Sequence, residues 1–204
     1  MDPLPAGFDF DPLQHSFRYL GRTIPSVTQI LTSRGLDPNL GHYTDDSAQR
    51  GVAVHEAVRL ISHDILDWAS LDPEIVPYVE AFLKYQQECR PVAYKTEQQM
   101  VHQHLFFGGI VDFLGLVHGA PAIVDYKSGP VQRHHELQVG GGYRSLARSS
   151  YPDWWAAESD RGRPKCYLLE LKKTGTYALH RITQLARQQD IFLKALDLTR
   201  WAEG

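Results

Sequence analysis

Residues 120–131 read APAIVDYKSGPV, an apolar run bounded by turn residues that is typical of a buried β-strand. The run nevertheless contains two charged side chains at alternate positions, Asp125 and Lys127. Alternate residues of a strand point to the same face, so these two side chains are expected to project side by side. Because burying a charge without a partner is costly, the elements that pack beside this strand must provide partners for the two charged side chains.

Two further strand-like segments, residues 92–104 and 106–117, precede this one, and the turn sequence HGAP follows them at 118–121. The three segments predict an antiparallel meander. Pairing of the second and third strands would place Asp112 close to Asp125 on one face. Two carboxylates a few ångströms apart repel each other, and one pKa rises sharply unless a cation lies between them. Carboxylate oxygens are the ligands that Mg²⁺ and Mn²⁺ prefer, so the pattern indicates a divalent-cation site.

The alternative interpretation of Asp125 and Lys127 is an ordinary ion pair at an exposed strand end, which is common on protein surfaces. The distance in sequence from Asp112 to Asp125 matches one strand, a tight turn and half of a return strand. On that spacing, three candidate catalytic side chains are predicted to converge on one sheet.

The rest of the chain predicts helices around this meander and a hairpin on either side of it. The predicted elements are a hairpin around Gly21, a short helix capped by Ser26 and Gly35, a long amphipathic helix from about Ser47 to Trp68, a helix from Asp72 to Cys89, a helical segment from Gln132 to Arg148, an irregular stretch over 149–164, a hairpin turning at Thr174 and Gly175, and a closing helix from Thr183 to Trp201. We expect one domain of mixed α/β class over residues 1–204. Its parts are an N-terminal hairpin and short helix (1–45), a helical part (46–90), and a sheet core with the closing helix (91–204).

The long predicted helix carries His55 at the border of its apolar stripe, with Gly51 one turn earlier on the same side. Glycine inside a helix costs about 1 kcal/mol relative to alanine, which suggests that another group approaches the backbone closely. A functional histidine is therefore one interpretation of His55. The other is a half-buried core residue.

The charge and cysteine content limit the class of protein. A formal net charge of −3 and a pI near 6.3 argue against a protein that coats nucleic acid by bulk electrostatics, while a local basic groove stays compatible. The two cysteines, Cys89 and Cys166, indicate a reducing compartment and provide no disulfide framework. The N-terminus lacks the basic start of a signal peptide, and no segment has 18 unbroken apolar residues. We expect a soluble cytoplasmic protein without a membrane partner.

Several motifs together resemble the PD-(D/E)xK nuclease superfamily. They are GGIVDFLG and AIVDYKSG in the predicted meander, RGVAVH in the helix before it and LQVGGGY in the helix after it. The similarity is greatest to the RecB-like branch, which includes phage exonucleases and mitochondrial genome maintenance exonucleases. IPSVTQIL and LLELKKTGTYALHRI also resemble segments of the phage members. The resemblance implies a restriction-endonuclease-like core of order αβββαβ, with a central mixed sheet flanked by helices.

Carried over residue by residue, the resemblance implies a metal site formed by His55, Asp112, Asp125 and the backbone carbonyl of Tyr126. The implied cofactor is one or two Mg²⁺ or Mn²⁺ ions. Imidazole is a softer ligand than carboxylate, so Mn²⁺ is expected to serve as well as Mg²⁺.

The resemblance also implies that Lys127 is the catalytic lysine and that Gln138 orders it, which completes a catalytic set with the two aspartates. Glu97 matches an acidic position near the family's site, and a surface glutamate is an equally good interpretation. Tyr143 departs from the family pattern, because it follows Gln138 by five residues rather than four. On an ideal α-helix the two would not share a face without a local bulge, which leaves the supporting role of Tyr143 open.

Six residues are candidates for contacts with DNA, because basic and aromatic side chains bind phosphates and stack on bases. They are Arg133, His134, Arg144, Arg148, Trp154 and Trp155. The alternatives are a solvated helix face for the basic residues and a small core cluster for at least one tryptophan.

The function implied by these features is a metal-dependent DNA exonuclease. We expect it to act on single-stranded DNA or DNA ends without sequence specificity, in recombination, repair or phage DNA processing, in a bacterial or phage-infected cell. A recombinase or a single-strand-binding protein is a possible protein partner. The alternatives are a catalytically silent nuclease-fold module that only binds DNA, and an endonuclease specific for flaps or branches.

Overall fold

The computed structural model describes residues 5–37, 45–159 and 162–203, so residues 160 and 161 of the predicted irregular stretch lie outside the described part. A small antiparallel sheet comes first, with strands β1 (Phe8–Asp11), β2 (Ser16–Tyr19) and β3 (Arg22–Ile24). The β2–β3 turn is the predicted hairpin, and Gly21 lies there at a φ of +76°, a region that favours glycine.

A five-stranded mixed sheet forms the centre of the fold. Its strands, hydrogen-bonded in chain order, are β4 (Val92–His102), β5 (Phe107–Val117), β6 (Ala120–Lys127), β7 (Lys165–Leu171) and β8 (Tyr177–Arg181). Strands β4, β5 and β6 are antiparallel neighbours, which confirms the predicted meander, and β7 and β8 form the predicted hairpin. Strands β6 and β7 are parallel, and parallel neighbours need a long crossover connection.

Helices flank this sheet, so the chain is of the predicted mixed α/β class. They are α1 (Val27–Ser33), α2 (Asp45–Ser62), α3 (Val76–Cys89), α4 (Arg133–Leu137), a π-helix (Gln138–Tyr143), α5 (Arg144–Ser150), α6 (Pro152–Ser159) and α7 (Leu185–Glu203), with a 3₁₀ turn at Trp68–Ser70. Helices α2 and α3 pack on one face of the sheet, while α1, the π-helix, α5 and α7 contribute to the core on the other face. None of the helices in these ranges combines the length and the apolar character that a membrane span requires.

Three predicted elements differ from the structure. The helix predicted from Asp72 begins at Val76, because residues 72–75 form a turn before it. Helix α2 ends at Ser62 rather than near Trp68, because Asp64 adopts a left-handed φ of +59°, and Ile65 and Trp68 are 63% and 51% exposed instead of packing on the core. The stretch predicted to be irregular contains α6, which begins at Pro152, a residue that suits the first turn of a helix.

The crossover between β6 and β7 contains three consecutive glycines inside the π-helix. A Cβ atom on Gly141 would lie 2.5 Å from the Cβ of Phe192 and 2.8 Å from the carbonyl oxygen of Gln188, both on α7. Contacts this short do not occur in proteins, so close packing of the π-helix on α7 requires the missing side chain. The glycines thus let the crossover lie directly against the closing helix.

We predict that Gly141→Ala destabilises the protein by about 1–3 kcal/mol, although alanine is the better helix former. The clash involves a backbone carbonyl, which cannot rotate away as a side chain can. Chemical denaturation would measure the free energy of unfolding. Gly129→Ala is the matched control, because no atom lies within 4 Å of a Cβ built there. Equal stabilities of the two variants would contradict the packing argument.

Candidate metal centre

Three carboxylates lie at the same level of three neighbouring strands. The β4–β5 register pairs Thr96 with Phe113 and Gln98 with Val111, so Glu97 faces Asp112. The β5–β6 ladder ends at the pair Phe113–Val124, and Asp112 and Asp125 are the next residues along the two strands. Pairing therefore brings the two predicted aspartates together and adds a glutamate from the third strand.

Asp112 is buried, and its Oδ2 accepts a hydrogen bond of 2.6 Å from the backbone N–H of Tyr126. The side chain of Asp112 thus accepts the hydrogen bond of the Tyr126 amide, just beyond the last paired residues of β5 and β6. Burial raises the pKa of Asp112 well above its ordinary value; the neighbouring carboxylates of Asp125 and Glu97 add to this effect and His55 opposes it.

His55 projects from α2 towards these carboxylates. Its Nδ1 lies 3.7 Å from Asp112 Oδ1 and 3.8 Å from Glu97 Oε1, and its Nε2 lies 3.1 Å from the carbonyl oxygen of Tyr126. Burial lowers the pKa of His55, but the charges of Asp112, Glu97 and Asp125 outweigh burial and raise it to about 9. The site interpretation of His55 agrees with these contacts better than the core interpretation.

The prediction that another group of the protein closely approaches the backbone at Gly51 is wrong for the described residues. A Cβ on Gly51 would meet only Ser128 Oγ, at 3.8 Å, which is an ordinary van der Waals contact. Nothing in the described structure requires glycine at this position.

Lys127 is held between two side chains. Its Nζ lies 2.7 Å from Asp125 Oδ2 and donates a hydrogen bond of 3.2 Å to Gln138 Oε1. The amide nitrogen of Gln138 in turn donates to the hydroxyl oxygen of Tyr143 at 2.7 Å. The π-helix supplies the local bulge that an α-helix lacks, because its wider turn places residues five apart on one face. The unusual spacing of Gln138 and Tyr143 is therefore compatible with their direct contact.

A divalent cation fits the donor set in this cluster. Ligand atoms of His55, Glu97 and Asp112 lie within 4.8 Å of one another. Glu97 Oε1 is buried without a hydrogen-bond partner in the described part of the chain. Two carboxylates and one imidazole form a donor set that suits Mg²⁺ or Mn²⁺. The structure thus brings Glu97 into the candidate ligand set, whereas Asp125 contacts Lys127, and the predicted ligand role of Asp125 remains a prediction.

Glu97 also has a left-handed backbone, with a φ of +46° within β4. Such a conformation is uncommon in a strand for a residue other than glycine and is costly. The sequence left a site residue and a surface glutamate as equally good interpretations of Glu97, because the register of β4 against β5 that places Glu97 beside Asp112 is a tertiary property.

The six candidate DNA contacts fall into two groups. Arg133 and Arg148 are exposed, as phosphate contacts would be. The others have contacts within the protein: His134 Nε2 lies 3.5 Å from Asp37 Oδ1, Arg144 donates to Gln189 at 2.8 Å, and the Arg144 guanidinium lies 5.2 Å from the ring centroid of Trp155.

Trp154 is 8% exposed and stacks on Tyr94, with ring centroids 5.9 Å apart and planes 15° apart. Its burial supports the core interpretation that the sequence left open for one tryptophan.

A cleft of about 860 Å³ opens above the carboxylate cluster. His55, Glu97, Lys127 and Gln138 border it, and so does His15 from the turn between β1 and β2. No sequence pattern identifies His15 as a residue of this cleft, because a histidine in a short turn has no periodicity that relates it to a site 40 or more residues away.

No protein-family model matches this chain, and no curated protein sequence matches it either. Among solved structures, the crystal structure of an alkaline exonuclease (LHK-Exo) from Laribacter hongkongensis aligns with 87% of this chain and 81% of its own chain. The TM-score is 0.38 and the sequence identity is 16%.

We predict that the metal-free protein loses stability as the pH rises from 7 to 9. His55 has a higher pKa in the folded chain than it ordinarily has, so the folded state binds its proton more tightly over this range, whereas Asp112, with its pKa raised to about 7, loses its contribution below pH 7. Stability from such groups is present at low pH and is lost as the pH rises through the folded pKa, which for His55 means between about 6.5 and 9. The thermal midpoint in EDTA should fall by roughly 5 °C.

Asp112→Asn is the matched variant for this prediction, because an amide oxygen can still accept the Tyr126 N–H while the charge beside His55 is removed. Its midpoint should change less over the same pH range. Parallel curves for the two proteins would show that this cluster does not cause the pH dependence.

Proposed function

We propose that this chain is a metal-dependent deoxyribonuclease that hydrolyses phosphodiester bonds in DNA. The observation that carries the proposal is the joint placement of three strand-borne carboxylates, a histidine and an ion-paired lysine around one cavity of about 240 Å³ beside the cleft. A module that only binds DNA has no need of this cluster, since gathering carboxylates repels the phosphates it should bind.

His55, Glu97 and Asp112 would hold the metal ion, with Asp125 and the carbonyl of Tyr126 as further oxygen donors. When bound, Mg²⁺ or Mn²⁺ neutralises charge on a non-bridging phosphate oxygen and lowers the pKa of a coordinated water. Asp112 is fixed for this task by its hydrogen bond from Tyr126, and His55 is oriented by its contact with the Tyr126 carbonyl.

Lys127 would orient the attacking water and stabilise the negative charge that develops on the phosphate. A pentavalent phosphoryl transition state carries more negative charge on its oxygens than the ground state does, so a fixed donor stabilises it selectively. Asp125 and Gln138 hold the Lys127 Nζ from two sides, and Tyr143 fixes which end of the Gln138 amide faces the lysine. This chain of contacts reduces the reorganisation needed during the reaction.

The finer assignment is an exonuclease acting on single-stranded DNA or on DNA ends without sequence specificity. The resemblance of the sequence motifs to RecB-like exonucleases supports it. Recombination, repair or phage DNA processing is the corresponding biological setting.

We predict that EDTA abolishes DNA cleavage and that Mn²⁺ restores it at least as well as Mg²⁺, because the candidate ligands are carboxylates and one imidazole. A time course on end-labelled single-stranded and double-stranded oligonucleotides measures both the metal dependence and the product size. Release of mononucleotides or short products from an end indicates an exonuclease, and internal cuts indicate an endonuclease. Full activity in EDTA would exclude the metal-dependent mechanism.

We predict that Lys127→Ala lowers turnover by roughly 10²- to 10⁴-fold while DNA binding is retained, because the lost interaction matters chiefly in the transition state. Single-turnover cleavage and a gel-shift assay with single-stranded DNA measure the two effects separately. Lys173→Ala serves as a control, since Lys173 is an exposed lysine outside the cleft. If neither wild type nor variant cuts any form of DNA and both bind equally, the binding-module alternative is correct.

A further inference from the structure

His15 lies at the end of the tight turn that joins β1 to β2, far in sequence from the carboxylate cluster. Asp11 fixes this turn, because its Oδ1 accepts hydrogen bonds from the backbone N–H groups of Leu13 and Gln14 at 2.9 and 3.1 Å. His15 itself has a left-handed φ of +47°, a conformation in which glycine or asparagine would be less strained. The turn therefore presents an imidazole where a smaller residue would be the easier choice.

The imidazole of His15 is held by two aromatic rings. It meets Phe10 edge-on with centroids 5.4 Å apart and Phe17 edge-on at 6.0 Å. Phe17 is buried and packs against Gly108, at the start of β5. The Gly108 N–H also donates to the Pro25 carbonyl at 3.0 Å, which attaches the small sheet to the central sheet. The position of His15 is thus tied to the strand that carries Asp112.

His15 borders both the 860 Å³ cleft and a smaller cavity of about 240 Å³. The smaller cavity is also bordered by Glu97, Asp112, Asp125 and Lys127. His15 comes from the small sheet and the other four from the central sheet, so the cavity is closed by groups from both.

The donors around the cleft differ in their availability to a substrate. Lys127 contacts Asp125 and Gln138, and the guanidinium of Arg59 makes two hydrogen bonds to Glu56, at 2.8 and 2.6 Å. An imidazole carries at least one N–H in either neutral tautomer and two when protonated, so it can donate to a phosphate in every state.

We propose that His15 is a substrate-binding residue that donates a hydrogen bond to a phosphate oxygen of the DNA strand in the cleft. The strand then lies between the carboxylate cluster on one side and the β1–β2 turn on the other. This inference rests on the proposed function for the class of substrate. It adds a contact from the N-terminal sheet, which holds the strand against the reacting groups.

The test begins with steady-state kinetics on a single-stranded oligonucleotide. His15→Ala should raise KM about tenfold and change kcat less than about threefold, because a hydrogen bond to a charged phosphate is worth roughly this factor and binds ground and transition states alike. Gln14→Ala is the matched control, since Gln14 lies in the same exposed turn and does not border the cleft. His15→Asn keeps a residue that tolerates the left-handed backbone but shortens the side chain, and it should raise KM as well.

A second measurement identifies the contacted phosphate directly. A series of oligonucleotides is prepared in which one phosphate at a time is replaced by a neutral methylphosphonate. Binding of each oligonucleotide is measured for the Lys127→Ala protein and for the Lys127→Ala, His15→Ala double variant. At one position the neutral group should weaken binding about tenfold when His15 is present and leave binding unchanged when it is absent. The loss of coupling at that position assigns the contact to His15.

The outcomes separate this inference from the proposed function. If wild type cleaves DNA, His15→Ala matches Gln14→Ala in KM, and the methylphosphonate series is the same with and without His15→Ala, the inference about His15 is wrong and the nuclease assignment stands. If no DNA is cut with either metal, the proposed function fails, and the binding series still decides whether His15 contacts a phosphate. The thermal midpoint of His15→Asn verifies that the turn is intact.

Discussion

Repulsion among Glu97, Asp112 and Asp125 is the constraint on which the rest of this structure depends. Two unit charges 4 Å apart interact by about 1 kcal/mol in bulk water and about 4 kcal/mol near a protein surface, so three carboxylates on adjacent strands need nearby positive charge. Lys127 supplies it on β6, and His55 supplies it from α2 when protonated. Burial raises the pKa of Asp112 even with these partners present, and the neighbouring carboxylates add to the rise, so the folded chain holds this carboxylate at a cost. A site that destabilises the protein in this way is typical of function rather than of packing.

The crossover between the parallel strands β6 and β7 provides the other half of the site. It must return over one face of the sheet, and its π-helix begins at Gln138 and ends at Tyr143. The glycines of the π-helix allow contact with α7, so that a tightly packed backbone supports the amide that holds Lys127. The orientation of the lysine therefore depends on packing against a helix near the C-terminus.

Binding of a polyanion by a chain with a net charge of −3 requires local rather than global attraction. Arg59 and Arg144 are both engaged within the protein, by Glu56 and by Gln189 and Trp155 respectively. Affinity would then come from a bound cation and from hydrogen-bond donors at the cleft such as His15. Contacts of these kinds address the phosphate backbone and leave the bases unread, in agreement with the proposed lack of sequence specificity.

The sequence by itself determined the strands of the meander, the pairing of Asp112 with Asp125 and the side-by-side placement of Asp125 and Lys127. These follow from the two-residue period of a strand and from one short turn, which are local properties. Tertiary structure alone decided that Glu97 joins the cluster, that Gln138 and Tyr143 meet across a π-helix, and that His15 borders the cleft. Each of these depends on contacts between segments distant in the chain: β4 with β5, the crossover with α7, and the N-terminal sheet with β5. A local sequence pattern cannot predict such contacts, because their free energy depends on the surface of the distant segment as well as on the residue itself.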